Sequence, residues 1–144
     1  MIIKEVKFDS DEYRKTVALR DKVLRKPLNM EFSEAELSNE FDSYHIAALN
    51  EEDEVLACLV LKPVTGTEVK MRQVAVDESQ QGKGLGKLLV GFAELFAMDN
   101  GSELMTVHAR EIALDFYLKL GYEKVGEQFE EIGIPHFKVQ KKLS

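Results

Sequence analysis

The sequence is poor in metal-binding and cross-linking residues: one cysteine, Cys58, and three histidines in 144 residues. A single thiol cannot close an internal disulfide or build a multi-thiolate metal site. With only His45, His108 and His136 beside it, no Cys/His zinc cluster and no metal is expected. A reducing cytoplasm is the natural compartment for such a chain. Basic residues are also outnumbered: 19 Lys and Arg stand against 26 Asp and Glu, giving a formal net charge of −7 and a pI near 5.1. A polyanion would find no electrostatic footprint, so nucleic acid is not an expected partner. Long apolar runs are missing as well. Val55 to Leu61 is too short to cross a bilayer, and Met1-Ile2-Ile3-Lys4-Glu5 lacks the apolar stretch of a signal peptide, so no membrane association is expected. With three prolines, no linker-like stretch and no internal repeat, the chain reads as a single domain over residues 1–144. Its 44% apolar content suits that size, at which a domain buries about 68–70% of its unfolded surface.

Ile2 to Phe8 alternates weakly as a first strand. Asp9 or Ser10 then caps a helix carrying Tyr13, Val17 and Leu24, which Pro27 is expected to stop. Ser33 and Glu36 have capping-box spacing, predicting a short helix from Ser33 to about Glu40. Tyr44–Leu49, Val55–Leu61 and Val69–Val76 are rich in aliphatic and β-branched residues and are separated by turn-like segments, as in an antiparallel meander. In the third of these runs Val69 and Met71 share one parity and Val74 and Val76 the other. Either an extra residue near Arg72-Gln73 makes a β-bulge, or Val69 and Val74 face two buried sides. Leu85, Leu88, Leu89, Phe92, Leu95 and Phe96 recur at helical spacing up to Asn100-Gly101. Leu104–Ala109 reads as a strand, and Ile112, Ala113, Phe116, Tyr117 and Leu120 as one face of a helix ended by Gly121. Tyr122–Ile132 and Pro135–Leu143 close the chain as two strands. The order implies an α+β fold, a three-layer sandwich around a mixed sheet, because the long helix between strands four and five can make a parallel crossover.

Between the fourth strand and the longest helix lies Gln81-Gly82-Lys83-Gly84-Leu85-Gly86-Lys87. Such a loop offers bare N–H groups at a helix start, which suits a phosphate; equally, its glycines permit tight strand-to-helix packing. Two phosphate loops fail on inspection. A Walker loop would need Ser or Thr where Leu88 stands and a glycine where Gln81 stands, and a dinucleotide fingerprint would need its third glycine at Lys87.

Gln81-x-x-Gly84-x-Gly86, after Val74-Ala75-Val76-Asp77, resembles the acetyl-CoA pyrophosphate loop of the GNAT superfamily of N-acetyltransferases. Phe116-Tyr117-Leu118-Lys119-Leu120-Gly121-Tyr122 resembles that family's second block, so the likeness runs strongly from Val69 to Tyr122. It implies a GNAT-like acyl-CoA N-acyltransferase fold, with a mostly antiparallel central sheet splayed between strands four and five. It implies acetyl-CoA as co-substrate, an amine as acceptor and no metal; a second copy of the chain is a candidate partner. The pantetheine arm would pair with exposed backbone of Val74-Ala75-Val76. Gln81, Gly82, Lys83, Gly84, Leu85, Gly86 and Lys87 would hold the pyrophosphate, and Ala113, Phe116 and Tyr117 would line the opposite wall. Many members of the family have Asn where Arg110-Glu111 stand here, so a CoA phosphate, the acceptor and an acidic neighbour are all candidate partners for Arg110.

Acetyl transfer from a thioester needs a neutral amine, an oxyanion donor and a proton for the thiolate. The Val74 N–H is the candidate donor. Tyr117 is the candidate acid, its alternative being a core aromatic beside Phe116. His136 and His108 are the candidate bases, each with a structural alternative. Glu127, Glu130 and Glu131 would attract a cationic acceptor or form a solvated strand. The leading expectation is an N-acetyltransferase acting on a primary amine of a small molecule or peptide; the other is a CoA-binding sensor or assembly module without catalysis.

Overall fold

In the computed structural model, which describes residues 1–143, the central strands are buried on both sides, and this sets the layering. The strands are Ile2–Val6 (β1), Tyr44–Leu49 (β2), Val55–Pro63 (β3), Glu68–Val76 (β4), Leu104–Arg110 (β5), Glu123–Glu131 (β6) and Ile134–Lys142 (β7). Because side chains alternate along a strand, Ile46, Ala48, Leu59 and Leu61 enter one buried cluster while Ala47, Leu49 and Cys58 enter another on the opposite face. The helices are Asp11–Arg20 (α1), Glu34–Ser38 (α2), Leu85–Asp99 (α3) and Leu114–Lys119 (α4). Tyr13 and Leu19 of α1 cover the second cluster; Leu89, Val90 and Ala93 of α3 and Tyr117 of α4 cover the first. The single sheet runs β1-β2-β3-β4-β5-β7-β6, antiparallel throughout except for β4 and β5, which α3 joins as a parallel crossover. This is the mixed, mostly antiparallel sheet between helical layers that the resemblance implies. No helix among the described residues is long and apolar enough to cross a membrane.

Four local expectations are corrected. The first helix does not continue to Pro27: α1 passes into a π-helical turn over Asp21–Arg25 and a 3-10 turn over Lys26–Leu28, whose start Pro27 occupies. The wider turn carries Arg25 inward, where its guanidinium lies 4.1 Å from the Phe32 ring centre and 3.0 Å from Glu36. Glu36 also completes the expected capping box with Ser33, but α2 ends at Ser38. Glu40 is thereby left outside the helix to meet buried Arg20 in two bonds of 2.9 and 2.6 Å. On α3, Leu88 and Leu95 are 57% and 63% exposed, because the helix meets the sheet along Leu85, Leu89, Ala93 and Ala97 and the broader apolar stripe overhangs it. Ile112 is 91% exposed, because Glu111–Ala113 form a 3-10 turn out of phase with α4.

Candidate active site

The parity slip in β4 is a bulge. Cys58 pairs with Ala75 and Val60 with Arg72, so two steps along β3 oppose three along β4, and Gln73 takes up the difference with a φ of 55°. A non-glycine residue in the left-handed region is uncommon, and here it turns the strand. Parallel pairing of β4 with β5 covers only Glu68–Met71 against Leu104–Val107, although β5 stays paired with β7 as far as Arg110–His136. Past Met71 the two strands therefore diverge, opening a cleft of about 570 Å³. Val74 lines it. Gln81 Nε2 donates to the Val76 carbonyl at 3.0 Å, which uses one of that oxygen's two lone pairs and ties the loop to the end of β4.

The glycine loop follows directly. Gly82 and Gly84 have φ of 78° and 83°, and a Cβ on either would meet nothing within 4 Å. Gly84 caps α3 without a side chain, leaving the first-turn N–H groups of a 15-residue helix pointing outward beside exposed Lys83 and Lys87. Gly86 plays a different part, since a Cβ there would stand 3.4 Å from the Phe116 ring and 3.7 Å from Val76. Its bareness lets α3 pack against α4, and Phe116 serves that contact rather than lining the cleft. Both readings of the loop, open backbone and close packing, thus apply to different glycines.

Across the cleft stand Ala113 and Tyr117. Tyr117 is 4% exposed, its ring set edge-on to Phe116 at 5.1 Å and to Tyr122 at 5.6 Å. Burial alone pushes its hydroxyl well above the ordinary tyrosine range, and among the described residues that hydroxyl has no hydrogen-bond partner.

Both candidate histidines line the cleft, and Glu131 joins them. His108 Nδ1 lies 3.0 Å from Glu131 Oε1 and 3.1 Å from Lys70 Nζ. One nitrogen cannot donate to the carboxylate and accept from the ammonium at once, so these contacts select different tautomers. His136 sits inside β7, 3% exposed, rather than in the turn before it; its Nδ1 donates to the Ile134 carbonyl at 2.8 Å and its Nε2 faces Glu131 Oε2 at 3.6 Å. Partial burial raises the Glu131 carboxyl, but the His108 hydrogen bond and neighbouring charges outweigh it and hold the group below its ordinary value. Glu127 and Glu130 are exposed and outside the cleft, so the acidic group does not act there as a cluster.

Arg110 donates to the Leu24 carbonyl at 2.9 Å, which ties β5 to the π-helical turn; burial, then Arg25, lower its pKa. Lys70, Arg72 and Arg25 also line the cleft. Sequence reading passed over all three, although Lys70 and Arg72 have the parity opposite to core Val69 and Met71, a sign that they share the other face of β4. Arg25 left no such sign, because only the π-helical turn brings it inward.

A family model described as an acetyltransferase (GNAT) domain matches residues 15–143. The Bacillus subtilis (strain 168) protein YyaT is 30% identical over 117 residues, spanning 78% of each chain. Among solved structures, an aminoglycoside 6'-N-acetyltransferase complexed with coenzyme A has a TM-score of 0.82 at 18% identity and covers 100% of this chain and 98% of its own. A GNAT family acetyltransferase from Elizabethkingia anophelis with acetyl-CoA bound has a TM-score of 0.76 at 18% identity, covering 99% and 97%. Matched along nearly its whole length, and folded around a sheet that opens where β4 leaves β5, the chain belongs to the GNAT family of acetyltransferases.

Proposed function

We propose that the protein transfers the acetyl group of acetyl-CoA to a primary amine by direct attack on the thioester. The observation that carries this reading is the Tyr117 hydroxyl, free of any partner among the described residues, in the wall of the cleft opposite a bulge and beside an open helix N-terminus. The Gly82–Lys87 backbone and Lys83 would hold the pyrophosphate, and the Val74 N–H would polarise the thioester carbonyl. The amine nitrogen forms the new C–N bond and the C–S bond breaks. The ammonium gives one proton to His108 before attack; as the tetrahedral adduct collapses the thiolate takes the Tyr117 proton, and the second proton shed by the nitrogen passes through solvent to reprotonate Tyr117. A thermal shift tests the binding step: at 100 times its Kd, CoA or acetyl-CoA should add about 2.7 kcal/mol of stability. No shift with either overturns the reading. A shift with no free-thiol release from any amine would leave a binding module.

His108 can act as the base through Nε2 only when Nδ1 carries a proton, and Glu131 is the group that selects that tautomer; donation from Lys70 to Nδ1 selects the other. Glu131 is then a positioning residue. Glu131→Gln should lower kcat/KM by about tenfold. Glu131→Asp, which keeps a carboxylate acceptor, should restore part of that loss. An equal loss in both variants would mean that Glu131 only holds the strand in place.

A further inference from the structure

Charge in the cleft runs against charge in the molecule. The chain carries −7 overall, yet Arg25, Lys70, Arg72 and Arg110 line this one cavity against only Glu36 and Glu131. Both carboxylates are engaged, Glu36 with Arg25 at 3.0 Å and Glu131 with His108 at 3.0 Å. Arg110 is held by a backbone carbonyl, and Lys70 touches His108. Arg72 differs: half-buried in the wall, it has no hydrogen bond or ion pair among the described residues. It also borders a neighbouring cavity of about 330 Å³ together with Asp42, without forming an ion pair. A guanidinium offers five donors in a planar fork suited to an oxyanion, and those of Arg72 are committed to no group among the described residues.

We infer that the acceptor is a small amine that also bears an oxyanion, a carboxylate or a phosphate, held by Arg72 with Lys70 beside it. The inference rests on the acetyltransferase reading and narrows its acceptor. The pyrophosphate loop lies beyond the bulge at the head of α3, so these cations on β4 before the bulge are not its continuation. The same positive field serves the chemistry. Burial first and the neighbouring Arg72 next lower the Lys70 pKa, with Glu131 opposing. An acceptor ammonium entering the cleft meets the same influences and gives up its proton more readily. A polyamine, cationic at both ends, meets repulsion.

The test compares acceptors that differ only in the oxyanion: alanine and leucine against their carboxamides, and phosphoethanolamine against ethanolamine, with spermidine as the cationic arm. Free-thiol release should show kcat/KM at least tenfold higher for the oxyanion-bearing member of a pair, and which pair responds separates carboxylate from phosphate. Arg72→Gln should collapse that preference toward unity, and Arg72→Lys should restore part of it, with CoA affinity unchanged in both. Equal or better turnover of carboxamides, ethanolamine or spermidine, with a preference indifferent to Arg72→Gln, overturns the inference and leaves the acetyltransferase reading intact. Loss of CoA affinity in Arg72→Gln also overturns it, by assigning the cation to the co-substrate. If no amine releases thiol, the transfer reading fails by itself. N-acetylalanine against N-acetylalaninamide, compared by thermal shift in the presence of CoA, still decides the anion site: equal shifts overturn it, and a larger shift for the acid that Arg72→Gln removes supports it.

Discussion

Turnover of a Tyr117→Phe variant is expected to fall by roughly 10² to 10⁴, the range for a positioned proton donor, while CoA affinity and melting temperature barely move. The two expectations rest on different features of one side chain. Stability should hold because Phe keeps the ring and its edge-on contacts with Phe116 and Tyr122, and the lost hydroxyl has no protein partner to strand. Turnover should fall because the hydroxyl is what the cleft presents to a departing thiolate. Burial raises the Tyr117 pKa, so the group is protonated throughout the neutral range. Against reference values of about 10 for tyrosine and about 8.5 for a thiol, proton transfer looks uphill. Burial penalises phenolate and thiolate alike, so the transfer is drawn forward by collapse of the tetrahedral adduct rather than by matched pKa values. An acceptor with fast product release is needed for the measurement. A near-normal rate, once chemistry is known to be rate-limiting, would return Tyr117 to packing without touching the acetyltransferase reading.

Features written into neighbouring residues were legible in the sequence. The reversal of parity between Met71 and Val74 marked the bulge, and Gln73 with its positive φ occupies the marked place. Ser33 and Glu36 marked the start of α2, and both halves of the capping box form. The long apolar helix between strands four and five marked the parallel crossover. What stayed hidden depends on distant segments meeting. The inward turn of Arg25 follows from one wider helical turn over Asp21–Arg25, which apolar spacing does not register. The Lys70–His108–Glu131 contacts join β4, β5 and β6, which have no shared periodicity. The overhang of Leu88 and Leu95 arises because spacing reports how wide an apolar stripe is, whereas burial depends on how much of it the sheet reaches. The acidic run on the sixth strand illustrates the same limit from the other side: three glutamates close in sequence divide between cleft and solvent, and only Glu131 meets the histidines.

Gly84→Val is expected to weaken CoA and acetyl-CoA by roughly 100-fold or more, equivalent to losing two charge-assisted hydrogen bonds. Gly84 sits at φ 83° with open space where its Cβ would be, so the substitution meets no clash inside the protein. A branched side chain would instead fill the approach to the bare N–H groups that begin α3. Valine is a true outlier at that φ, and the strain amounts to about 1–3 kcal/mol. A domain with ordinary stability of about 5–15 kcal/mol absorbs that and stays folded. Gly86→Val provides the contrast. Its Cβ starts 3.4 Å from the Phe116 ring, so a branched side chain presses on the contact between α3 and α4, and its loss should show chiefly in melting temperature. The diagnostic result is therefore a crossing pattern, with CoA affinity lost most at Gly84 and thermal stability lost most at Gly86. Unchanged CoA affinity in folded Gly84→Val would place the phosphates elsewhere and break the link between this loop and the co-substrate.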